Sequence, residues 1–292
     1  MLPQILLNAV IATSVYTLVG LSFALIYRVV RFFHFAHAGV FTAGAYAVLF
    51  LTTNSTIPFL LAAFLGTLAS LILGCLMELG IYRPLRRGSA TPVVLLVSSL
   101  GLYIVVQNCI SLFFGDETRN IRPSDLVYTL ELWGARITSI QLVTICTAIV
   151  IVALVVILVK KTRFGIAVRA VANSPELASI VGIDSDRVVL LSFALGSWLA
   201  GIAGILVALD VDMTPRMGLN ALLMGVVAVI VGGLESVPGV VLGALLLGLA
   251  QHLGVWKIGS EWQDAIAFVV LLAFLLFKPE GFLGKKVRKA VV

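Results

Sequence analysis

The chain has 292 residues, of which 61% are hydrophobic and 12% are charged, and it carries a net charge of +6. Its mean hydropathy of +1.14 excludes an ordinary soluble domain and predicts a chain that crosses a lipid bilayer several times. The basic residues lie between the apolar segments, which indicates membrane topology rather than nucleic-acid binding. Cys75, Cys109 and Cys146 lie inside apolar segments without paired spacing, so neither a disulfide framework nor a metal motif is indicated.

The N-terminal part contains four apolar segments that are long enough to span a membrane, at about 5–27, 33–52, 58–79 and 92–114. The first segment has no positive charge before its apolar run and no clear cleavage site, so we expect a retained span rather than a signal peptide. The second is rich in small residues, which allow helix backbones to approach closely in lipid. A strongly basic linker, 82–88, follows the third.

Polar side chains inside these segments are candidates for function. Gln107 and Asn108 in the fourth span are candidates for a polar path through the membrane, because amides in a bilayer must find hydrogen-bonding partners; bonding between helices is an equally good explanation. His34 and His37 stand three residues apart, a spacing compatible with a metal or proton-relay site. Two histidines supply too few metal ligands, which favours a role in packing or backbone hydrogen bonding.

The C-terminal part begins with the longest loop, about 115–137, and continues with spans at about 139–159, 188–209 and 262–277. Between the last two, the apolar stretch 219–253 is long enough for two passes or a re-entrant pair. A break rich in glycine at 232–239 divides it. We expect Glu235, Pro238 and Gly239 to form a structural turn there, in which the carboxylate binds exposed amides at a helix start; a gate is the alternative.

The segments predict an all-α polytopic membrane protein with about eight or nine transmembrane helices. With the N-terminus outside, about 15 of the 20 Lys and Arg residues lie on the cytoplasmic side, as the positive-inside rule requires. The C-terminus is then cytoplasmic, and residues 1–292 are expected to form a single transmembrane domain.

The polar stretch 160–187 separates two apolar segments and carries the signals of a short helix. Ser174 is a capping residue, Pro175 suits the first helical position, and Glu176 complements the positive helix start. Three apolar residues then fall on one face, Gly182 ends the helix, and Asp184 or Ser185 can cap the next one. We predict an amphipathic helix outside the bilayer that contacts a soluble partner; a loop that only joins two spans is the alternative.

The chain contains no phosphate-binding loop of the Gly-x-x-x-x-Gly-Lys-Ser/Thr type, so any ATP hydrolysis must occur on another protein. A stand-alone secondary transporter or channel is one hypothesis for a chain with several spans. Such a protein is expected to place ionisable residues in the middle of the membrane, and the predicted spans contain almost none there. A membrane-embedded enzyme is disfavoured because no nucleophile, metal set or carboxylate pair is clustered in the spans.

Several motifs in register resemble the LivH-type permease subunits of high-affinity branched-chain amino-acid ABC importers, over nearly the whole chain. In chain order they are Phe35-Ala36-His37-Ala38-Gly39, Tyr82-Arg83-Pro84-Leu85-Arg86, Arg163-Phe164-Gly165, Val181-Gly182-Ile183, Asp186-Arg187, Gly232-Gly233-Leu234-Glu235-Ser236-Val237-Pro238-Gly239 and Phe277-Lys278-Pro279-Glu280-Gly281. The general Glu-Ala-Ala…Gly pattern of ABC permeases is matched only in part, because Ala170-Val171-Ala172 lacks the glutamate.

The resemblance implies an importer permease for branched-chain or other hydrophobic amino acids in the bacterial inner membrane. It implies a second related permease as heterodimer partner, two cytoplasmic ATPases that hold ATP and magnesium, and an extracytoplasmic substrate-binding protein. This chain itself is then not an enzyme and holds no cofactor. The segment 160–187 becomes the coupling loop, with ATPase contacts at Arg169, Glu176, Leu177, Ala178 and Gly182. Family relatives carry urea and short amides, and the motifs do not separate these cargoes.

Overall fold

The computed structural model of the chain describes residues 1–123, 128–132, 134–234 and 236–284. Most of these residues are helical, and their one sheet is an antiparallel hairpin of β1 (Thr129–Leu132) and β2 (Ala135–Thr138). The helices are α1 Leu2–Val30, α2 Ala36–Asn54, α3 Phe59–Met77, α4 Arg83–Arg87, α5 Pro92–Phe114, α6 Ser139–Lys161, α7 Arg163–Asn173, α8 Pro175–Ile180, α9 Ser185–Asp210, α10 Met217–Gly232, α11 Val237–Ile258 and α12 Gln263–Phe277.

Eight helical segments within the described ranges are long and apolar enough to cross a membrane, and α10 is a shorter apolar helix of 16 residues. Helices satisfy all their backbone hydrogen bonds internally, which lipid requires of a spanning segment. This confirms the predicted all-α polytopic membrane fold. By the helical rise, α10 is about 24 Å long, shorter than the roughly 30 Å of a bilayer core.

The bundle has two distinct ends. The hairpin end carries β1 and β2, where Gln4 at the start of α1 exchanges hydrogen bonds of 3.0 and 2.7 Å with the backbone of Arg136. The loop end carries α7 and α8, where the guanidinium of Arg31, just beyond α1, donates to the carbonyl of Ala172 at 2.5 Å. At the break, α10 ends at Gly232 and α11 begins at Val237, both at the loop end, and the two helices pack antiparallel so that Gly232 lies against Gly239.

Small residues set the spacing of the central helices α2, α3 and α9. These three helices cross at Gly44, Ser70 and Gly201. A Cβ atom on Gly44 would lie 3.1 Å from the Cα of Gly201, and one on Gly201 would lie 2.7 Å from the Cβ of Ser70. The small residues of the second apolar segment therefore serve the close helix contact that the sequence predicted.

Three local predictions are corrected. The linker 82–88 is largely helical: α3 continues through a π-helical turn, Glu78–Tyr82, into α4. In this turn the N–H of Arg83 donates to the carbonyl of Glu78, five residues back, which lets the helix continue although Pro84 has no N–H. The second span begins at Ala36 rather than near Phe33, and the long loop contains the β-hairpin.

Candidate functional site

The polar stretch between α6 and α9 folds into two helices, α7 and α8. The sequence predicted only α8. Thr162 caps α7 by accepting the N–H of Gly165 at 3.1 Å, and Gly165, Val168 and Val171 are buried on one face. A capping threonine followed by apolar residues at three-residue spacing was the signal for α7. The guanidinium of Arg169 donates to the carbonyl of Val159, which braces α7 against the end of α6.

The ends of α8 are fixed by the residues that the sequence indicated. The hydroxyl of Ser174 accepts the N–H of Leu177 at 3.2 Å. After the helix, Gly182 adopts a φ of +83°, and its N–H donates to the carbonyl of Ser179 at 3.0 Å. The N–H of Ile183 donates to the carbonyl of Ala178 at 3.0 Å, which completes a Schellman turn. Both predicted caps are confirmed.

The side chains of α8 divide into an inner and an outer set. Ala178 is buried against the chain, whereas Leu177, Ile180 and Val181 are 65%, 78% and 73% exposed and Glu176 is also exposed. We call these three apolar side chains the α8 patch. An apolar cluster that the chain itself leaves open, beyond the ends of the spans and beside a carboxylate, has the composition of a protein contact site.

A cluster of ionic contacts, which we call the arginine node, fixes the first turn of α9. Asp186 accepts from Arg83 and Arg87 at 2.9 Å each and lies 3.8 Å from Arg86. Arg86 also forms a two-pronged ion pair with the fully buried carboxylate of Glu78 in the π-helical turn. The sequence analysis missed this node; the basic linker was its only local signal. The node joins the exit of the polar stretch to the end of α3.

The candidate path residues lie in the half of α5 nearest the hairpin end. Gln107 is half-buried, and Asn108 is exposed, with its amide N–H donating to the carbonyl of Ile104 at 2.7 Å. Val97 and Gly101 are exposed at helical spacing from Asn108, and a Cβ atom on Gly101 would meet nothing within 4 Å. This face of α5 therefore presents an amide and a glycine to whatever lies beside the chain.

The turn between α10 and α11 uses local caps. Glu235 lies outside the described residues. Pro238 is in the first turn of α11, whose cap Ser236 accepts the N–H of Gly239 at 3.2 Å. Gly233 ends α10 with a φ of +104°. Pro238 and Gly239 thus belong to the start of α11, directly after the break, and the structural turn with Glu235 stays a prediction.

The two histidines are buried within the chain, at the connection between α1 and α2. The Nδ1 of His34 is 3.0 Å from the hydroxyl of Tyr82, and the Nε2 of His37 is 2.8 Å from that of Ser22. The part of the chain that the structure describes has no group of three His, Cys, Asp or Glu residues suited to a metal. The contacts tie the connection between α1 and α2 to the π-helical turn, in line with the packing role that the sequence favoured.

Comparison with known proteins shows to which family the chain belongs. The sequence model of the family described as "Branched-chain amino acid transport system / permease component" matches residues 5–275. The chain belongs to this family. It is 29% identical to the high-affinity branched-chain amino acid transport system permease proteins BraD of Pseudomonas aeruginosa and LivH of Escherichia coli, over 97% of its own length and 95% of theirs.

One solved structure also has a similar fold. A chain of PsaBC from Streptococcus pneumoniae, in complex with Fab, matches with a TM-score of 0.51 and 14% identity, covering 96% of this chain and 92% of that one. This likeness concerns the fold alone. The relatives' names describe transport permeases rather than enzymes, in agreement with the transport role expected from the sequence.

Proposed function

We propose that this permease is the transmembrane subunit of an ATP-driven importer that carries branched-chain or other hydrophobic amino acids across the bacterial inner membrane. The substrate class follows the names of the relatives that match over nearly the full chain. The observation that carries the ATP-driven part is the α8 patch, an exposed apolar surface on a helix fixed at both ends.

The orientation rests on charge. The loop end collects the basic residues Arg28 and Arg31, the α4 arginines and most of those in 160–187, whereas the hairpin end holds Arg119, Arg122 and Arg136 among few others. The positive-inside rule then supports a cytoplasmic loop end and an N-terminus outside. The described C-terminal residues also lie at the loop end, since the N–H of Phe282 donates to the carbonyl of Val231.

The α8 patch then faces the cytoplasm, where the ATPases that carry ATP and magnesium reside. Leu177 supplies an apolar contact and Glu176 a charge, while Gly182 sets the angle at which the helix leaves toward α9. Ala178 is turned inward and lets α8 sit close to the chain, and Arg169 holds α7 to α6. In this arrangement three of the five expected coupling residues, Arg169, Ala178 and Gly182, act through position rather than contact.

The exposed face of α5 supports a second permease. The amide of Asn108 has an N–H bonded to its own helix, but an amide oxygen facing lipid would lack a donor. A partner permease or a water-filled path removes this cost, and Gly101 on the same face allows close approach of another helix. We infer a heterodimer whose path passes Gln107 and Asn108, with substrate delivered at the hairpin end by a binding protein.

Reconstitution tests the function. The permease, its neighbouring permease, ATPases and binding protein are placed in proteoliposomes, and uptake of labelled leucine is measured with and without ATP, with urea and acetamide as competitors. We expect ATP-dependent uptake that valine and isoleucine suppress and the amides do not. Uptake by this chain alone, without ATPases, would instead identify a secondary transporter or channel.

A further inference from the structure

A basic cavity of about 280 Å³ opens at the loop end between α1, α6, α7 and the start of α11. Its wall carries three cationic side chains, Arg28, Lys160 and Arg169. Ser236, the cap of α11, is also part of the wall, so the positive end of a 22-residue helix points at the cavity. The transport function proposed above uses Arg28 for orientation and Arg169 for its link to α6, but it gives the cavity itself no role.

Among the described residues, no carboxylate balances the charge at two of the three cations of this cavity, Lys160 and Arg169. Arg169 donates one N–H to the carbonyl of Val159. A guanidinium has five N–H donors, so others remain for an anion. Arg28 has an interaction of its own within the chain, so the argument rests on Lys160 and Arg169. The cavity is suited to an anion.

An apolar groove continues from the cavity along the spans. The groove shares Arg28, Val159, Ser236 and Val237 with the cavity. Its remaining lining is Leu21, Ala24, Leu25, Val155, Leu234 and Val240. From Arg28 back to Leu21 it extends about 10 Å toward the hairpin end, by the helical rise. Its volume is only about 20 Å³, so a chain would touch it along one side and lie otherwise in the bilayer.

We propose that this cavity and groove bind an anionic glycerophospholipid. The headgroup phosphate lies between Lys160 and Arg169, and one acyl chain follows the groove between α1, α6 and α11. A cavity just under the roughly 300 Å³ at which small-molecule pockets begin holds a headgroup rather than a whole nucleotide. A free anion would leave the groove unused. Basic pockets between spans on the cytoplasmic side are typical sites for anionic headgroups.

The position gives the lipid a structural consequence. Lys160 is in the last turn of α6, and Arg169 already bridges α7 to the carbonyl of Val159 in α6. A phosphate bound to both side chains adds a second link across the same joint. The lipid therefore makes the junction of α6 and α7 more rigid, and α8 follows directly after α7. This inference rests on the cytoplasmic orientation of the loop end proposed above, and it does not depend on the identity of the cargo.

The test uses the purified complex in mild detergent, with native mass spectrometry of the lipid that stays bound. Phosphatidylglycerol and phosphatidylcholine are titrated separately into wild type, Lys160→Gln and Lys161→Gln. Lys161 is the matched control, because it is the neighbouring exposed lysine and does not line the cavity. We expect wild type and Lys161→Gln to bind phosphatidylglycerol equally, and Lys160→Gln to bind it about fivefold more weakly. Equal binding of phosphatidylcholine, or equal loss in both variants, overturns the proposal.

A second arm separates a lipid from a free anion. Ala24→Phe fills the groove, which neither Lys160 nor Arg169 lines, so it should weaken binding of phosphatidylglycerol while both of these cations remain in place. Inorganic phosphate, added as a competitor, should not displace the lipid. If Ala24→Phe binds phosphatidylglycerol as wild type does and inorganic phosphate displaces it, the site is an anion site and the lipid assignment is wrong.

Discussion

Replacing Gly182 by valine tests whether the turn after α8 sets the position of that helix. Gly182 has a φ of +83°, and a Cβ atom built on it meets nothing within 4 Å. The substitution therefore introduces no steric clash with another part of the chain. Its whole effect comes from the backbone, because a β-branched residue strongly disfavours the left-handed region.

The free-energy cost of Gly182→Val follows from this backbone conformation. Holding a non-glycine residue in the left-handed region costs about 1–2 kcal/mol. If the turn opens instead, the N–H groups of Gly182 and Ile183 lose their carbonyl partners, at about 1 kcal/mol for each net hydrogen bond. A helix of six residues is not stable by itself, since isolated helices shorter than about 12 residues have only marginal stability. A change of this size is enough to shift α8 away from its fixed position.

The assay is the amount of amino acid transported per ATP hydrolysed by the complete importer in proteoliposomes. We expect Gly182→Val to lower this ratio severalfold while the complex still assembles, because Gly182 is exposed and the space around its Cβ position is open. Gly182→Asn is the matched control, since asparagine tolerates the left-handed region, and it should retain coupling. A normal ratio in Gly182→Val refutes the reasoning, as does an equal defect in Gly182→Asn.

Two further predictions concern stability. Asp186→Asn leaves the arginine node without its shared carboxylate and should lower the free energy of unfolding by about 1.5–3 kcal/mol. The measurement is the melting temperature in detergent, which should fall. Asp184→Asn is the control, because it keeps a capping side chain and should change the melting temperature little. Gly201→Val should prevent the close packing of α9 on Ser70 and give an aggregated or unstable protein by size-exclusion chromatography. Gly101→Val, with open space around it, should fold normally but weaken pairing with the second permease. A stable Gly201→Val protein would contradict the packing argument.

Local chemistry explains why the ends of α8 could be predicted. Ser174 and Gly182 act on backbone groups within three or four residues, so their pattern can be recognised without knowledge of the fold. Long-range contacts could not be found in this way. Asp186 lies about a hundred residues from Arg83 and Arg87 in the chain, and only the packing of α9 beside the π-helical turn brings them together.

Arg169 illustrates the same limit on a single side chain. Its place in a polar stretch gave no reason to prefer an inward over an outward direction, and the sequence analysis expected a contact with the ATPase. In the structure the end of α6 offers carbonyl groups that lack helical partners, and Arg169 donates to one of them at Val159. The direction of a long cationic side chain thus depends on where unpaired acceptors come to lie, which is a property of the fold.

The contacts around α7 and α8 indicate how a displacement of α8 spreads into the spans. Arg169 links α7 to α6, and Arg31 links the C-terminal turn of α7 to the end of α1 through the carbonyl of Ala172. At the other side of α8, Asp186 joins the start of α9 to the arginines that follow α3. A rigid push on α8 therefore reaches α1, α3, α6 and α9 at the same time. Because α1 packs against α9, α10 and α11, the displacement is delivered to the centre of the bundle and not to one peripheral helix.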